Sequence, residues 1–237
     1  MTVPISILIH ALRCKEIPQL RLYLYLKSMA SGHLKITENV PRQVCEAMKW
    51  KDLRTYKTNL EWLLKHHWAS FNNKSQSLRI VSFKQLHRRF HGSVRTGVRM
   101  NIEDFKNFRA FIYAAVISWG MSAKRKSDGK SKCKRGSFGK GLPYSHFKDL
   151  PETYLAEILH LDHSTISRYK QDARKAGYIK IHHQFLYLHH SSSQISLMRK
   201  YMDEDEAKKL VTHNNRAYLQ QCDIMKGFVG LAYLKRL

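Results

Sequence analysis

The sequence predicts a mostly α fold with small β hairpins, arranged as two similar units in tandem and a helical C-terminal extension. Three observations carry this. Apolar residues recur at three- and four-residue spacing through much of the chain, the period of a helix with one buried face. In each half, such helical segments lead into two short apolar segments around a polar tip, the pattern of a β-hairpin. A stretch of the second half can also be laid over one of the first, type for type. The boundaries that follow are 1–83 for the first unit, 84–104 for a basic linker, 105–190 for the second unit with a basic insertion at 122–141, and 191–237 for the extension.

In the first half, Ile17 to Met29 carries Leu20, Tyr23, Leu24 and Leu26 at helical spacing, and Ser31-Gly32 stops it. Leu34 to Ile36 is a short extended piece. Pro41 suits the first turn of a second helix, where a missing N–H leaves no bond unmade. Val44 and Met48 face inward and Trp50 closes the turn. Leu53, Tyr56, Leu60 and Leu63 then build a third helix, with Arg54, Lys57, Thr58 and Glu61 outside. Two apolar segments around Asn72 to Ser77 complete the unit, with Leu78, Ile80 and Phe83 in the second.

The second half repeats this order. Asn107 to Met121 is a strongly apolar helix with Phe108, Phe111, Ile112, Ala115, Val116 and Trp119. After the basic insertion come a helix from Glu152 to Leu159, a short turn, and a helix from Ser164 to Ala176. Gly177 ends that helix where a left-handed residue is favoured. Tyr178 to Ile181 and Phe185 to Leu188 form the two arms of a hairpin, with His182 and His183 at its tip. In the extension, Leu219, Ile224, Phe228, Leu231 and Leu234 read as a helix that packs on a unit or pairs with another chain.

The most informative stretch is Leu155 to Arg168. Leu155, Ile158 and Leu159 give one helix a buried face. Asp162 ends the turn, and its side-chain oxygen can cap the next helix. Ser164, Thr165, Ser167 and Arg168 surround one apolar anchor, Ile166. Small polar and basic residues around a single buried contact suit a helix lying in the major groove of DNA. Val44 to Trp50 matches Leu155 to Leu161. Beyond the turn, the counterpart of Ile166 is Tyr56, one residue later than the alignment demands, so the first turn is expected to be one residue longer.

On these residues, Leu155 to Leu188 resembles the winged helix-turn-helix superfamily. Two such units in one basic chain resemble the replication initiators of plasmids and phages. The resemblance implies that both units contact an origin, or that one binds DNA while the other dimerises. It is specific for DNA binding and says less about biological role. The basic insertion and the C-terminal extension depart from the pattern.

Composition points the same way. The chain has 42 Lys+Arg against 18 Asp+Glu, a formal net charge of +24. Such an excess repels itself in a compact chain and calls for a polyanionic partner. With 43% hydrophobic and 11% aromatic residues the chain can still build packed cores, which excludes a disordered basic tail. Cys14, Cys45, Cys133 and Cys222 lie far apart, which points to a reducing compartment and away from a zinc module. Met1 to Leu12 lacks the basic start and cleavage site of a signal peptide. Ala110 to Trp119 is too short to span a bilayer. The expectation is a soluble, cytoplasmic protein with no membrane partner. No phosphate-binding loop, dinucleotide turn or nucleophile–base spacing is present, so the chain is read as no enzyme, with no catalytic residue, cofactor or metal assigned. The histidine pairs at 66–67, 182–183 and 189–190 hold neighbours that point apart, and the acids Asp203 to Glu206 suit the start of a helix.

Recognition from the second motif falls to His163, Ser164, Thr165, Ser167, Arg168, Lys170 and Gln171. Arg can take guanine with two hydrogen bonds, Gln can pair with adenine, and hydroxyls accept either base edge. His163 near the helix start can meet a phosphate. In the first motif the equivalents are Arg54, Lys57 and Thr58. The insertion supplies phosphate contacts from Lys124, Arg125, Lys126, Lys130, Lys132, Lys134, Arg135 and Lys140, and is expected to order only on DNA. His182 and His183 add contacts at the wing tip.

The function expected is sequence-preferring binding of double-stranded DNA, in replication initiation or control of a plasmid, phage or mobile element. A protein partner or self-association would use the C-terminal helices. The alternatives are a transcription regulator and a non-enzymatic structural or assembly protein that binds nucleic acid or a protein complex through its basic surface. RNA binding ranks lower, because no aromatic stacking platform is evident.

Overall fold

The computed structural model describes residues 1–30, 32–90, 95–134, 148–149, 152–182, 185–188, 194, 197, 200–201, 210–213, 216–220 and 224–234, with 124–134, 148–149, 185–187, 213, 220 and 224 described in backbone only. The chain is mixed α/β rather than mostly α. It opens with β1 (Thr2–Pro4) and α1 (Ile5–Arg13). Then come α2 (Ile17–Met29), β2 (His33–Lys35), α3 (Asn39–Met48), α4 (Leu53–Lys65), β3 (Ala69–Asn72) and β4 (Ser77–Ile80). These three strands form an antiparallel sheet in the order β2-β4-β3. Next are α5 (Phe83–Arg89), β5 (Thr96–Arg99), a 3-10 turn at Ile102–Phe105 and α6 (Phe108–Lys134). The second half continues with β6 (Lys148–Asp149), α7 (Glu152–Leu159), α8 (His163–Lys175), β7 (Ile179–His182) and β8 (Phe185–Leu188). It ends with β9 (Leu210–His213), β10 (Arg216–Gln220), β11 (Ile224–Gly227) and β12 (Leu231–Tyr233).

β8 does not close the second hairpin. β7 pairs with β11, from Ile179↔Gly227 to His182↔Ile224, and β8 pairs with β10. The sheet of the second half is β6-β11-β7, and β8-β10-β9 is a sheet of its own. The expected helix over Ala217 to Leu234 is therefore replaced by β10, β11 and β12. Gly227 and Gly230 weaken a helix there, and the gap between β6 and β7 offers backbone partners that no local period reveals. Gly227 also sits where β11 crosses α6. A Cβ at that position would overlap Ser118 Oγ and lie 3.3 Å from Ser118 Cα.

Residues 84–104 are not a linker. They hold most of α5, then β5, and β5 is the middle strand of the sheet β1-β5-β12. Both ends of the described chain are thus tied to this segment. The Met1 amino group donates to Met100 O at 2.8 Å, and Leu234 N donates to Arg95 O at 3.0 Å. The basic insertion also changes character. Its first part continues α6 as far as Lys134, because Lys and Arg are good helix formers and an established helix extends easily.

The helix α1 holds the halves together. Ile5, Ile7, Leu8, Ala11 and Leu12 are fully buried. Ser6, His10 and Arg13 make a narrow polar stripe, and the rest of the helix faces the core. It packs against α2, α5, α6 and α7, so one buried cluster runs from Val3 through both halves to Val229. Full burial of each Ile or Leu contributes roughly 1.5–3 kcal/mol. Among the described residues no helix is long and apolar enough to cross a membrane.

Candidate nucleic-acid interface

Two helix pairs, α3–α4 and α7–α8, share one construction. Each first helix exits through a left-handed residue, Lys49 at φ 54° and His160 at φ 51°. The exit is closed by a backbone bond to a carbonyl five residues back, Trp50 N to Cys45 O at 2.8 Å and Leu161 N to Ala156 O at 3.2 Å. The first turn is then one residue longer than the second, as the alignment predicts. An aspartate caps each second helix. Asp52 Oδ1 accepts from Thr55 N at 2.9 Å and from Thr55 Oγ1 at 3.1 Å. Asp162 accepts from Ser164 Oγ at 2.6 Å, Thr165 N at 2.7 Å and Thr165 Oγ1 at 2.9 Å. The Ser164 hydroxyl, followed by the Thr165 amide and hydroxyl, holds the Asp162 carboxyl far below the usual range. The Thr55 amide does the same, less strongly, for Asp52.

The anchors and helix exits also correspond. Tyr56 and Ile166 are both buried. The chain leaves α4 through His67 at φ 56° and leaves α8 through Gly177 at φ 76°. Trp68 N then bonds to Leu63 O at 2.8 Å, and Tyr178 N to Ala173 O at 3.0 Å. The following strands meet their partners in one register, Ala69↔Ile80 and Asn72↔Ser77 against Ile179↔Gly227 and His182↔Ile224.

On α4, Arg54, Lys57 and Thr58 are exposed. On α8, His163, Ser164, Arg168 and Gln171 are exposed, while Thr165 and Ser167 are half-buried. The Arg168 guanidinium lies 5.8 Å from the centroid of the Tyr169 ring. Several sequence expectations change here. Lys170 is not a base reader: it is buried, and its Nζ pairs with Glu152 Oε1 at 3.0 Å, tying α8 to the first turn of α7. Its position three after Ser167 and four after Ile166 carries it to the packed side of the helix. Ser164 and Thr165 spend their hydroxyl protons on Asp162, so they are left as acceptors. His182 is exposed at the end of β7, opposite Ile224, rather than in a tight turn. Lys124, Arg125, Lys126, Lys130, Lys132 and Lys134 lie along α6 rather than on a loop. Arg135, Lys140 and His183 lie outside the described residues.

Sequence reasoning missed an open groove of about 790 Å³ between the halves. One wall is the edge of α8, with Thr165, Arg168, Tyr169, Asp172 and Lys175. The other walls are Trp50, the start of α2 with Lys15 and Arg21, and the start of α6 with Lys106 and Arg109. Among the described residues, six cations face one carboxylate, Asp172, whose Oδ2 pairs with Arg109 Nη2 at 3.0 Å. Arg21 is half-buried and donates to Phe105 O at 2.5 Å, and burial pulls its pKa down without discharging it. Cations gathered between low-dielectric walls focus a positive potential that attracts phosphate. The contributors come from distant parts of the chain, so the only sequence signal was the overall basic surplus. Comparison of the chain with protein-family models, with curated proteins and with solved structures finds no match.

Proposed function

We propose that the chain binds double-stranded DNA through two winged-helix units and presents α4 and α8 to the major groove. The observation that carries this reading is the repeated frame. The same cap, left-handed exits and strand register hold both helices, and each turns basic and polar side chains outward. Arg54, Lys57 and Thr58 read from the first, and Ser164, Arg168 and Gln171 from the second. The groove cations, Lys15, Lys106 and Lys175 among them, hold the phosphate backbone beside α8. Two readers in one basic cytoplasmic chain suit the initiation or control of replication of a plasmid, phage or mobile element.

The test is selection of bound duplexes from a random pool at near-physiological salt, followed by sequencing. A two-part motif is expected. Arg168→Ala should lose roughly 1–3 kcal/mol of discrimination at one base position. Lys106→Ala should weaken all duplexes alike and flatten the salt slope by about 0.9. Tight binding with no enriched sequence, or an Arg168→Ala protein with unchanged affinity and preference, would overturn the reading.

A further inference from the structure

The C-terminal turn of α1 gathers three side chains of different chemistry. His10 and Cys14 are one turn apart on the same face of the helix. Lys15 is left-handed at φ 60°, and the reversal lets Glu16 N bond to Ala11 O at 2.9 Å. This sets Glu16 beside His10. His10 Nε2 lies 3.4 Å from Glu16 Oε2, and His10 Nδ1 lies 3.9 Å from Cys14 Sγ. One donor atom from each residue falls within 4.8 Å of the other two. The His10 ring stacks on Phe90, with centroids 3.8 Å apart and planes 11° apart, which fixes its orientation. Glu16 Oε2 is buried and makes no hydrogen bond, while Cys14 is exposed.

We propose that His10, Cys14 and Glu16 form a three-ligand site for a zinc-class divalent cation, with solvent in the fourth position. Thiolate, imidazole and carboxylate together suit a borderline cation, whereas magnesium and calcium take oxygen ligands. Bonds of about 2.0–2.3 Å to a shared centre require the donors to close by only about 1 Å. The thiol releases its proton to solvent as the metal–sulfur bond forms. Exposure of Cys14 supplies the entry path, and the metal satisfies the buried carboxylate oxygen. An occupied site would pin the end of α1 to the start of α2, and so fix Lys15 at the rim of the groove. A search for paired cysteines overlooks it, because its core is a His and a Cys four apart on one helix.

The experiment uses the full chain after treatment with chelator. Zinc is titrated in competition with a chromophoric chelator, and cobalt is added separately as a spectroscopic probe. One zinc per chain is expected, and the cobalt form should show a thiolate charge-transfer band in the near ultraviolet. Cys14→Ser should abolish the band, and both Cys14→Ser and His10→Gln should weaken zinc binding about tenfold or more. Cys14 is exposed, so Cys14→Ser should keep the metal-free melting temperature and decides the matter even if His10→Gln disturbs the fold. Absence of a thiolate band in the parent overturns the proposal. So does a band and affinity that survive Cys14→Ser, which would place the metal on other groups.

Discussion

Residues 73–76 separate β3 from its partner β4, and the whole of 183–223 separates β7 from its partner β11, yet the two pairs share one register. Register is therefore set where a left-handed residue ends the helix and leads into the strand. The tip is permissive, because loop-closure entropy grows only slowly with length. The second half uses that freedom to carry the sheet β8-β10-β9. The packed sides of the two helices differ more. α4 buries Tyr56, Asn59 and Leu63, while α8 buries Ile166, Tyr169, Lys170 and Ala173. Asn59 and Lys170 are satisfied in different ways. Asn59 Nδ2 donates to Thr55 O at 2.8 Å within the helix, and Lys170 pairs with Glu152 on the neighbouring one.

The largest predicted effect concerns whether these halves are separable. Ile166→Ala should cost about 2–5 kcal/mol, since a fully buried side chain is cut back in a core that cannot collapse freely. Because α1 joins both halves in one cluster, urea unfolding followed by tryptophan fluorescence should shift as a single transition. Trp50, Trp62 and Trp68 report the first half and Trp119 lies on α6. If the first-half signal held its midpoint while the second moved, the two units would have independent cores.

What could be read from the sequence was local. The caps at Asp52 and Asp162 depend on residues three apart, and the anchors Tyr56 and Ile166 on a helical period. The extra turn residue shows as a one-residue slip in the alignment of the two halves. What could not be read was non-local. The partner of β7 lies well beyond Phe185 to Leu188, and a strand gives no local sign of which edge it will join. A helical period over Ala217 to Leu234 was coincidental, and the ladders of β10 and β11 overrode it. Lys170 carries no local sign of burial, because a charge on a helix is usually solvated and its partner Glu152 sits on another helix. The groove was invisible for the same reason: Trp50, Arg21, Arg109 and Arg168 meet only once the halves are packed.

A smaller effect separates the two caps. Both aspartates have folded-state pKa values below the ordinary one. Their contribution is therefore full above about pH 4, the ordinary carboxylate range, and is lost as pH falls through the depressed values. Asp162 accepts three hydrogen bonds and Asp52 two. Asp162→Ala should thus lower the melting temperature at pH 7 more than Asp52→Ala, by a few degrees at most. It should also flatten the acid limb more. Melting curves between pH 2 and pH 7 measure both, and equal slopes for the two variants would mean that the extra hydroxyl bond contributes nothing.

The smallest effect lies at the matched anchors. Ile166 is wholly apolar, whereas Tyr56 buries a hydroxyl that finds no hydrogen-bond partner. An unmatched buried hydroxyl opposes folding. Tyr56→Phe, which makes the first anchor resemble the second, should therefore stabilise the chain by up to about 1 kcal/mol, against the usual sign for a core substitution. Burial, with a smaller push from Cys45, also raises the Tyr56 phenol to about 12. The neutral phenol is the form that folds, so its contribution is constant below the ordinary tyrosine pKa near 10. That contribution falls as pH rises from there through about 12. In urea titrations at pH 7 and pH 11, the advantage of Tyr56→Phe should be larger at pH 11. A variant less stable than the parent at both pH values would mean that the hydroxyl has a partner and that the two anchors are not equivalent.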